Sequence, residues 1–344
     1  MKGRVIVLDT LGGRPAAAMM LDGRLDDLLV SPPEDEPRPG AVYRATLDRP
    51  MKGQGGVTVR LPEGRGFLRQ IKGVRPGQPV LVQVTGYAED GKAVPVTTRV
   101  LFKSRYAIVT PDAPGINISR SIKDEERRVR LMEIADELRE GLPEGAGLIL
   151  RSSCESGADD DVAADIAAMT DLAAKVLADE AGEPELLVEG PDPHELAWRD
   201  WPEPDLLHTD PGGFEAHGVL DAVDALRSGR MELPGGGFAF VEPTRALVAV
   251  DVNTGGDTSL AAGLKANIAL ARALPAVLRC RGLGGQITLD VAPMPKKERR
   301  TFEQVIGAAF RADPVDTVLA GWTPLGHYEL QRKRDRLPLD RCPI

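Results

Sequence analysis

The chain has 344 residues, 42% hydrophobic and 28% charged, with a formal net charge of −9. That length suggests about two or three domains and supports buried cores, which excludes a peptide or a disordered tail. No run of about 18 apolar residues occurs, Met1 to Leu11 alternates like a strand instead of opening on a signal segment, and three scattered cysteines do not make a disulfide framework, so a soluble, unexported, cytoplasmic protein with no membrane partner is expected.

The first 31 residues read as strand, turn and strand, Arg4–Leu8 and Ala16–Met20 about Gly12-Gly13, with a Pro-rich acidic boundary at Ser31–Pro37. Five short β-type runs follow, 42–46, 56–60, 66–68, 79–85 and 93–98, separated by Gly or Pro, and fit a small barrel such as an OB-fold. Tyr106–Val109 predicts a strand, and Lys123–Arg139 a helix on which Val129, Met132, Ile134 and Leu138 keep helical spacing loosely. Gly147–Ser152 predicts a buried strand and Asp161–Glu180 an Ala-rich helix, whereas Glu183–Pro211, rich in Pro and acid, reads as irregular. The last third alternates in α/β fashion. Strands 238–242, 246–252, 285–291 and 317–320 are interleaved with helices 260–281 and 295–311, and the first helix links two Asp-bearing strands that a crossover makes parallel.

The acidic total hides a segregation. Residues 1–130 carry 22 basic against 15 acidic side chains, residues 131–230 carry 6 against 25, and residues 231–344 carry 15 against 12. Between Pro50 and Thr110 the balance is 10 to 3, a local footprint suited to phosphates, although simple solvation gives similar patches.

Asp251 and Asn253 stand two apart on one strand and share a face, while Asp290 ends the other strand. Ligands of parallel sheets gather at carboxyl ends, so the three side chains could meet one hard cation such as magnesium. Capping loops or starting turns is the plainer role for such aspartates, and spacing alone does not separate the two. Gly235-Gly236-Gly237 lacks the P-loop spacing and its lysine, which disfavours a nucleotide-dependent enzyme. His194, His208, His217 and His327 show no ligand spacing.

From Leu233 to Leu337 the chain resembles the catalytic domain of the ribonuclease E/G family, on Leu233-Pro-Gly-Gly-Gly-Phe238, Glu242-Pro-Thr-Arg-Ala-Leu247, Val250-Asp-Val-Asn-Thr-Gly255, Asn267, Arg281-Gly-Leu-Gly-Gly-Gln-Ile-Thr-Leu-Asp290, Met294, Gly326 and the basic run Gln331–Leu337. The resemblance implies a magnesium-dependent endoribonuclease that cuts single-stranded, often AU-rich, RNA to 5′-phosphate and 3′-hydroxyl ends. Asp251 and Asp290 are then the magnesium ligands, and Asn253 assists at the water or scissile phosphate. It further implies a mixed α/β and all-β multidomain fold: a reduced ribonuclease H-like scaffold (1–34 and 183–232), an inserted OB-fold RNA-binding domain (35–104), a 5′-phosphate sensor region (105–182) and a DNase I-like α/β catalytic domain (233–344).

Within the same resemblance Phe67 is the ring that stacks on a base, and Lys92 a basic companion. Phe67 also fits a barrel-core aromatic, and Lys92 a solvated turn residue. Asn117–Ile122 and Leu148–Ser152 resemble the family's 5′-monophosphate pocket, implying Arg151 and Ser152 as its clamp with Arg120 beside them. A guanidinium fork and a hydroxyl suit that role, while an Arg closing a strand amid acid also suits a structural ion pair.

Val291-Ala-Pro-Met294 lacks the family's second acidic residue after the second ligand, and Pro324 stands where a basic residue is usual. Cys342-Pro343-Ile344 holds one thiol of the family's Cys-Pro-x-Cys zinc link. Two thiols in a homodimer fall short of four ligands, so no tetrahedral zinc link is expected. Cys154 and Cys280 are expected in the core. The competing expectation is an RNA-binding protein that no longer cleaves.

Overall fold

Two tight hairpins open the fold. In the computed structural model, which describes residues 2–51, 55–69, 75–89 and 91–344, β1 (Arg4–Leu11), β2 (Arg14–Leu21) and β3 (Arg24–Val30) are joined by the pairs Gly12-Gly13 and Asp22-Gly23, all four at positive φ. Such turns match the twist of the strands they connect. The sequence predicts only the first two strands. β3 carries Asp26 and Asp27 in mid-strand, and the partners that make this tolerable lie some 250 to 310 residues away.

From Glu34 to Pro202 the chain forms a compact unit of its own. Five strands, β4 (Val42–Met51), β5 (Gly56–Arg60), β6 (Arg65–Arg69), β7 (Pro79–Val84) and β8 (Val94–Thr97), pair in the order β4-β5-β6-β8-β7, and β7 closes back on β4. Only β6 and β8 run parallel. The closed five-stranded barrel, filled by Ala45, Leu47, Val57, Val59, Leu68, Val82, Val84, Val94 and Val96, is consistent with the expected OB-fold.

A second sheet follows in the same unit, from β9 (Phe102–Lys103), β10 (Ala107–Thr110), β11 (Gly115–Ile118) and β12 (Gly147–Leu150), in the order β11-β12-β10-β9, with β11 parallel to β12. Helices α1 (Glu125–Glu137) and α2 (Asp159–Ala178) cover it, burying Leu131, Ile134, Val162 and Ile166 against Val109, Leu148 and Leu150. On α1 the exposed Val129 and Met132 depart from expectation, since the buried stripe is Leu131, Ile134 and Ala135. Cys154 is buried as expected, and burial pushes its thiol up to about 11.

The stretch 183–211 is not irregular. It holds β13 (Glu185–Val188), which pairs with β4, α3 (Pro193–Asp200), and β14 (Leu206–His208), which pairs in parallel with β1. The start of α3 has a signal in the sequence: Asp192 accepts from the Glu195 amide, the Glu195 carboxylate accepts from the Asp192 amide, and Pro193 takes the first helical position.

The other unit combines residues 1–33 and 203–344. Helices α4 (Gly213–Ala216) and α5 (Val219–Arg227) pack Phe214, Val219 and Val223 on Val5, Val7, Ala16 and Ala18 of the first sheet, whose order is β14-β1-β2-β3. The second sheet of this unit contains β15 (Arg230–Glu232), β16 (Phe238–Pro243), β17 (Val248–Asn253), β18 (Gly285–Asp290), β19 (Thr317–Trp322) and β20 (Tyr328–Arg332), in the order β15-β16-β17-β18-β20-β19.

Between β17 and β18 runs α6 (Ala262–Cys280), and the two strands are parallel as the crossover predicts. α6 and α7 (Arg299–Ala312) cover one face, where Val248, Val250, Val252, Ile287 and Leu289 meet Leu270, Leu274, Leu278, Phe302 and Ile306. Cys280, buried as expected, reaches the core of the first sheet. The resulting architecture is mixed α/β with a closed barrel and several sheets.

In the basic run at 331–337, Arg332 at the end of β20 and Arg336 turn into an ion network, while Lys333 and Arg334 stay exposed. Arg332 bonds Asp313 at 2.6 Å and Thr317 Oγ1 at 2.9 Å, Arg279 reaches Asp26 at 3.0 Å as well as Asp313, and Arg336 forks onto Asp27. Three guanidiniums thus share three carboxylates.

Candidate active site

Alternation along β17 sends Val248, Val250 and Val252 into the core and Ala249, Asp251 and Asn253 to the face the helices leave uncovered. β18 does the same, with Ile287 and Leu289 inward and Thr288 and Asp290 outward. Asp251 and Asp290 are register partners across the parallel pair. Neighbouring strands lie about 4.8 Å apart, so the two exposed carboxylates stand side by side at the carboxyl ends of their strands. Asn253 donates from Nδ2 to Asp251 Oδ2 at 2.9 Å, which fixes that carboxylate and leaves the amide oxygen available.

The chain leaving Asp290 is pinned from α6. Asn267, 0% exposed, donates to the Ala292 carbonyl at 2.8 Å and accepts from the Ala292 amide at 2.9 Å. Close backbone approach needs glycine at Gly263, where a Cβ would strike the Pro293 carbonyl, and at Gly255, at φ +61°, where it would strike that of Gly236. These contacts set the loops on either side of the carboxylate pair.

Two aromatics in the site were not anticipated. Phe240 is the register partner of Asp251 and Phe238 that of Asn253, so both rings share the open face with the acidic pair. The rings meet edge to face at 5.7 Å, and the Arg230 guanidinium lies 4.1 Å from the Phe238 centroid. The period-2 pattern of Phe238–Glu242 could have placed them there.

Among the described residues no group of three or more His, Cys, Asp or Glu side chains is placed to hold a metal. The donor set here is therefore two carboxylates and one amide oxygen. All are hard oxygen donors, suited to a magnesium ion that retains several waters.

On the barrel, Phe67 does not join the core. Gly66 and Leu68 point inward, while Phe67 projects outward between Arg65 and Arg69, opposite Thr58 and Pro95 and over the bare backbone of Gly56. Exposed Arg60 is the partner of Arg65, which makes this face basic around a half-buried ring. Lys92 sits in an exposed turn and pairs with Glu89 at 3.0 Å, and Asp90 of that turn lies outside the described residues.

The ends of β11 and β12 bring together the other predicted group. Ile118 and Leu150 are register partners, so Ser119-Arg120 and Arg151-Ser152 leave the same end of the sheet. Arg120 and Ser152 are exposed. Arg151 is engaged: it donates to the Ser104 carbonyl, to the Arg199 carbonyl at 3.1 Å and to Asp200 at 2.7 Å. Burial opposes charge on Asp200, but Arg199 and Arg151 outweigh it and hold the carboxyl below its usual range.

Comparison with known proteins finds ribonuclease relatives. The family model described as "Ribonuclease E/G family" matches residues 102–209 and 205–335. Ribonuclease G of Haemophilus influenzae is 28% identical over 314 aligned residues, covering 78% of this chain and 63% of that protein. Ribonuclease E of a Nostoc species is 26% identical over 392, covering 95% and 56%, and ribonuclease G of Escherichia coli K12 is 27% identical over 318, covering 78% and 63%. The chain thus spans somewhat over half the length of these relatives.

Proposed function

The chain belongs to the ribonuclease E/G family, and from that premise we propose that it is an endoribonuclease of RNA processing or decay, which cuts single-stranded RNA to 5′-phosphate and 3′-hydroxyl products at Asp251, Asn253 and Asp290. The single observation that carries the reading is the register pairing of Asp251 with Asp290 at adjacent carboxyl strand ends, with Asn253 bonded to the first. Asp251 and Asp290 would hold magnesium, which when bound supplies an activated water and neutralises charge growing on the phosphodiester. Asn253 holds one oxygen of Asp251, and Asn267 fixes the chain that follows Asp290. Phe238 and Phe240 offer rings beside the pair for a flanking base.

RNA is received on the barrel, with Phe67 stacking on a base and the arginines around it tracking the phosphates, and Lys92 contributes once released from Glu89. Ser152 and Arg120 bind a 5′-phosphate, and Arg151 joins them by exchanging Asp200 for it. In this reading the four segments expected from the resemblance serve as ribonuclease H-like scaffold, OB-fold RNA-binding domain, sensor and DNase I-like catalytic domain. A cytoplasmic setting and a homodimer are part of the same proposal. No helix among the described residues is long and apolar enough to cross a membrane.

The test is cleavage of a 5′-monophosphorylated oligoribonucleotide with and without magnesium. A magnesium-dependent product whose rate falls by about a hundredfold or more in Asp251→Asn and in Asp290→Asn is expected, at unchanged RNA affinity in EDTA. An unchanged rate in either variant removes the assignment, and binding without any product would instead select the non-cleaving alternative.

A further inference from the structure

We propose that Trp198 is a stacking platform for a nucleobase of single-stranded RNA, that of the 5′-terminal nucleotide. The inference rests on the RNA reading above and extends it to a residue outside the predicted site. Trp198 lies on α3 and is 61% exposed, unusual for the largest apolar side chain in a folded unit. Its indole is firmly mounted. The Arg105 guanidinium lies 4.4 Å from the ring centroid and donates to the Trp198 carbonyl, while the capping box at Asp192 and Glu195 fixes the start of the helix.

Arg105 itself is only 7% exposed, its Nε has no hydrogen-bond partner, and among the described residues no carboxylate pairs with it. A buried cation left without an anion favours a polyanionic ligand close by. One face of the indole is thereby occupied and the ring still presents a large open surface, the arrangement that stacks a base: every base has a π-face, and a cation behind the indole holds the ring in place.

Placement selects which base. Arg105 caps the Trp198 carbonyl and Arg151 caps the next one, that of Arg199, at 3.1 Å. The platform and the arginine proposed for the 5′-phosphate are therefore held by consecutive carbonyls of one helix end. Ser153, next to Ser152, closes the connection by donating to the Arg105 carbonyl.

The experiment measures binding of 3′-labelled oligoribonucleotides to the full chain by fluorescence anisotropy in EDTA. The RNAs carry a 5′-monophosphate with an intact or an abasic first nucleotide, or a 5′-hydroxyl with an intact one. For the intact 5′-monophosphate RNA, Trp198→Ala is expected to weaken binding by about tenfold while Trp198→Phe stays within about threefold of wild type. The abasic RNA should bind wild type and Trp198→Ala alike.

If Trp198→Ala binds intact RNA as wild type does, or if the penalty for the abasic end persists in the variant, the platform is overturned. Unchanged RNA binding with lost self-association would give the ring to a protein contact instead. The 5′-hydroxyl RNA separates the two readings: equal wild-type affinity for phosphate and hydroxyl ends removes the phosphate pocket, and the abasic comparison still decides Trp198.

Discussion

Asn253 gives an amide hydrogen to Asp251 and keeps its carbonyl oxygen for whatever occupies the site, whereas Asn267 spends both ends of its amide on Ala292. The two asparagines should therefore fail differently. Asn253→Ala removes a partner that orients a ligand, so cleavage should fall by roughly 10- to 100-fold with the urea midpoint unchanged, since nothing buried is left unpaired. Asn267→Ala strands a buried N–H and a buried C=O, each costing about 1–3 kcal/mol, so its urea midpoint should drop clearly. Equal behaviour of the two in both measurements would contradict this division.

Asp251, Asn253 and Asp290 were readable because period-2 alternation fixes a face and an apolar run ending in Asp marks a strand end. The clamp at Asn267 was not, because a mid-helix Asn carries no sign of a partner 25 residues on. Arg151 shows the same limit. Its identity suits a phosphate and a helix end equally, and the carbonyls of Ser104 and Arg199 come to it only through the fold.

At the scale of elements, long apolar-patterned segments such as α6 and β18 were legible within a residue or two, and elements stabilised from outside were not. β3 is the clearest case. Its Asp26-Asp27 pair looks like a turn until Arg279 and Arg336 arrive from the far end of the chain. β20 was hidden for the mirror-image reason, since Arg332 reads as surface charge while its side chain is buried against Asp313.

In such a network, loss of one member costs more than loss of a charge together with its partner. Asp313, with its side chain 0% exposed, serves two arginines. Asp313→Ala should cost about 3–5 kcal/mol by leaving the buried Arg332 without an anion, while Arg279 keeps Asp26. Adding Arg332→Met should recover part of that loss, because one stranded charge is then gone. A double-mutant cycle in urea measures the coupling, and simple additivity would show that the pair acts independently.

On the scale of the whole chain, residues 34–202 are entered and left once, at Pro-containing stretches, and contain two joined cores. Val42 and Leu81 of the barrel belong to the same apolar cluster as Leu131, Leu148 and Ile166 of the neighbouring layer. The contacts that fix Arg44, on Asp179, Glu183 and Glu185, and those that fix Arg105 and Arg151, on the end of α3, also begin and end inside this segment.

A segment of about 170 residues with its own cores, and with the contacts of Arg44 and Arg151 closed inside it, should fold alone. Expressed by itself, 34–202 should show one cooperative urea transition and slow amide exchange in β10, β12 and α2, and should retain salt-sensitive RNA binding through the barrel. It should not cleave, because Asp251 and Asp290 lie in the other unit. A non-cooperative transition would mean that the segment's cores are completed by residues beyond Pro202. Cleavage by the isolated segment would place the chemistry away from the aspartate pair.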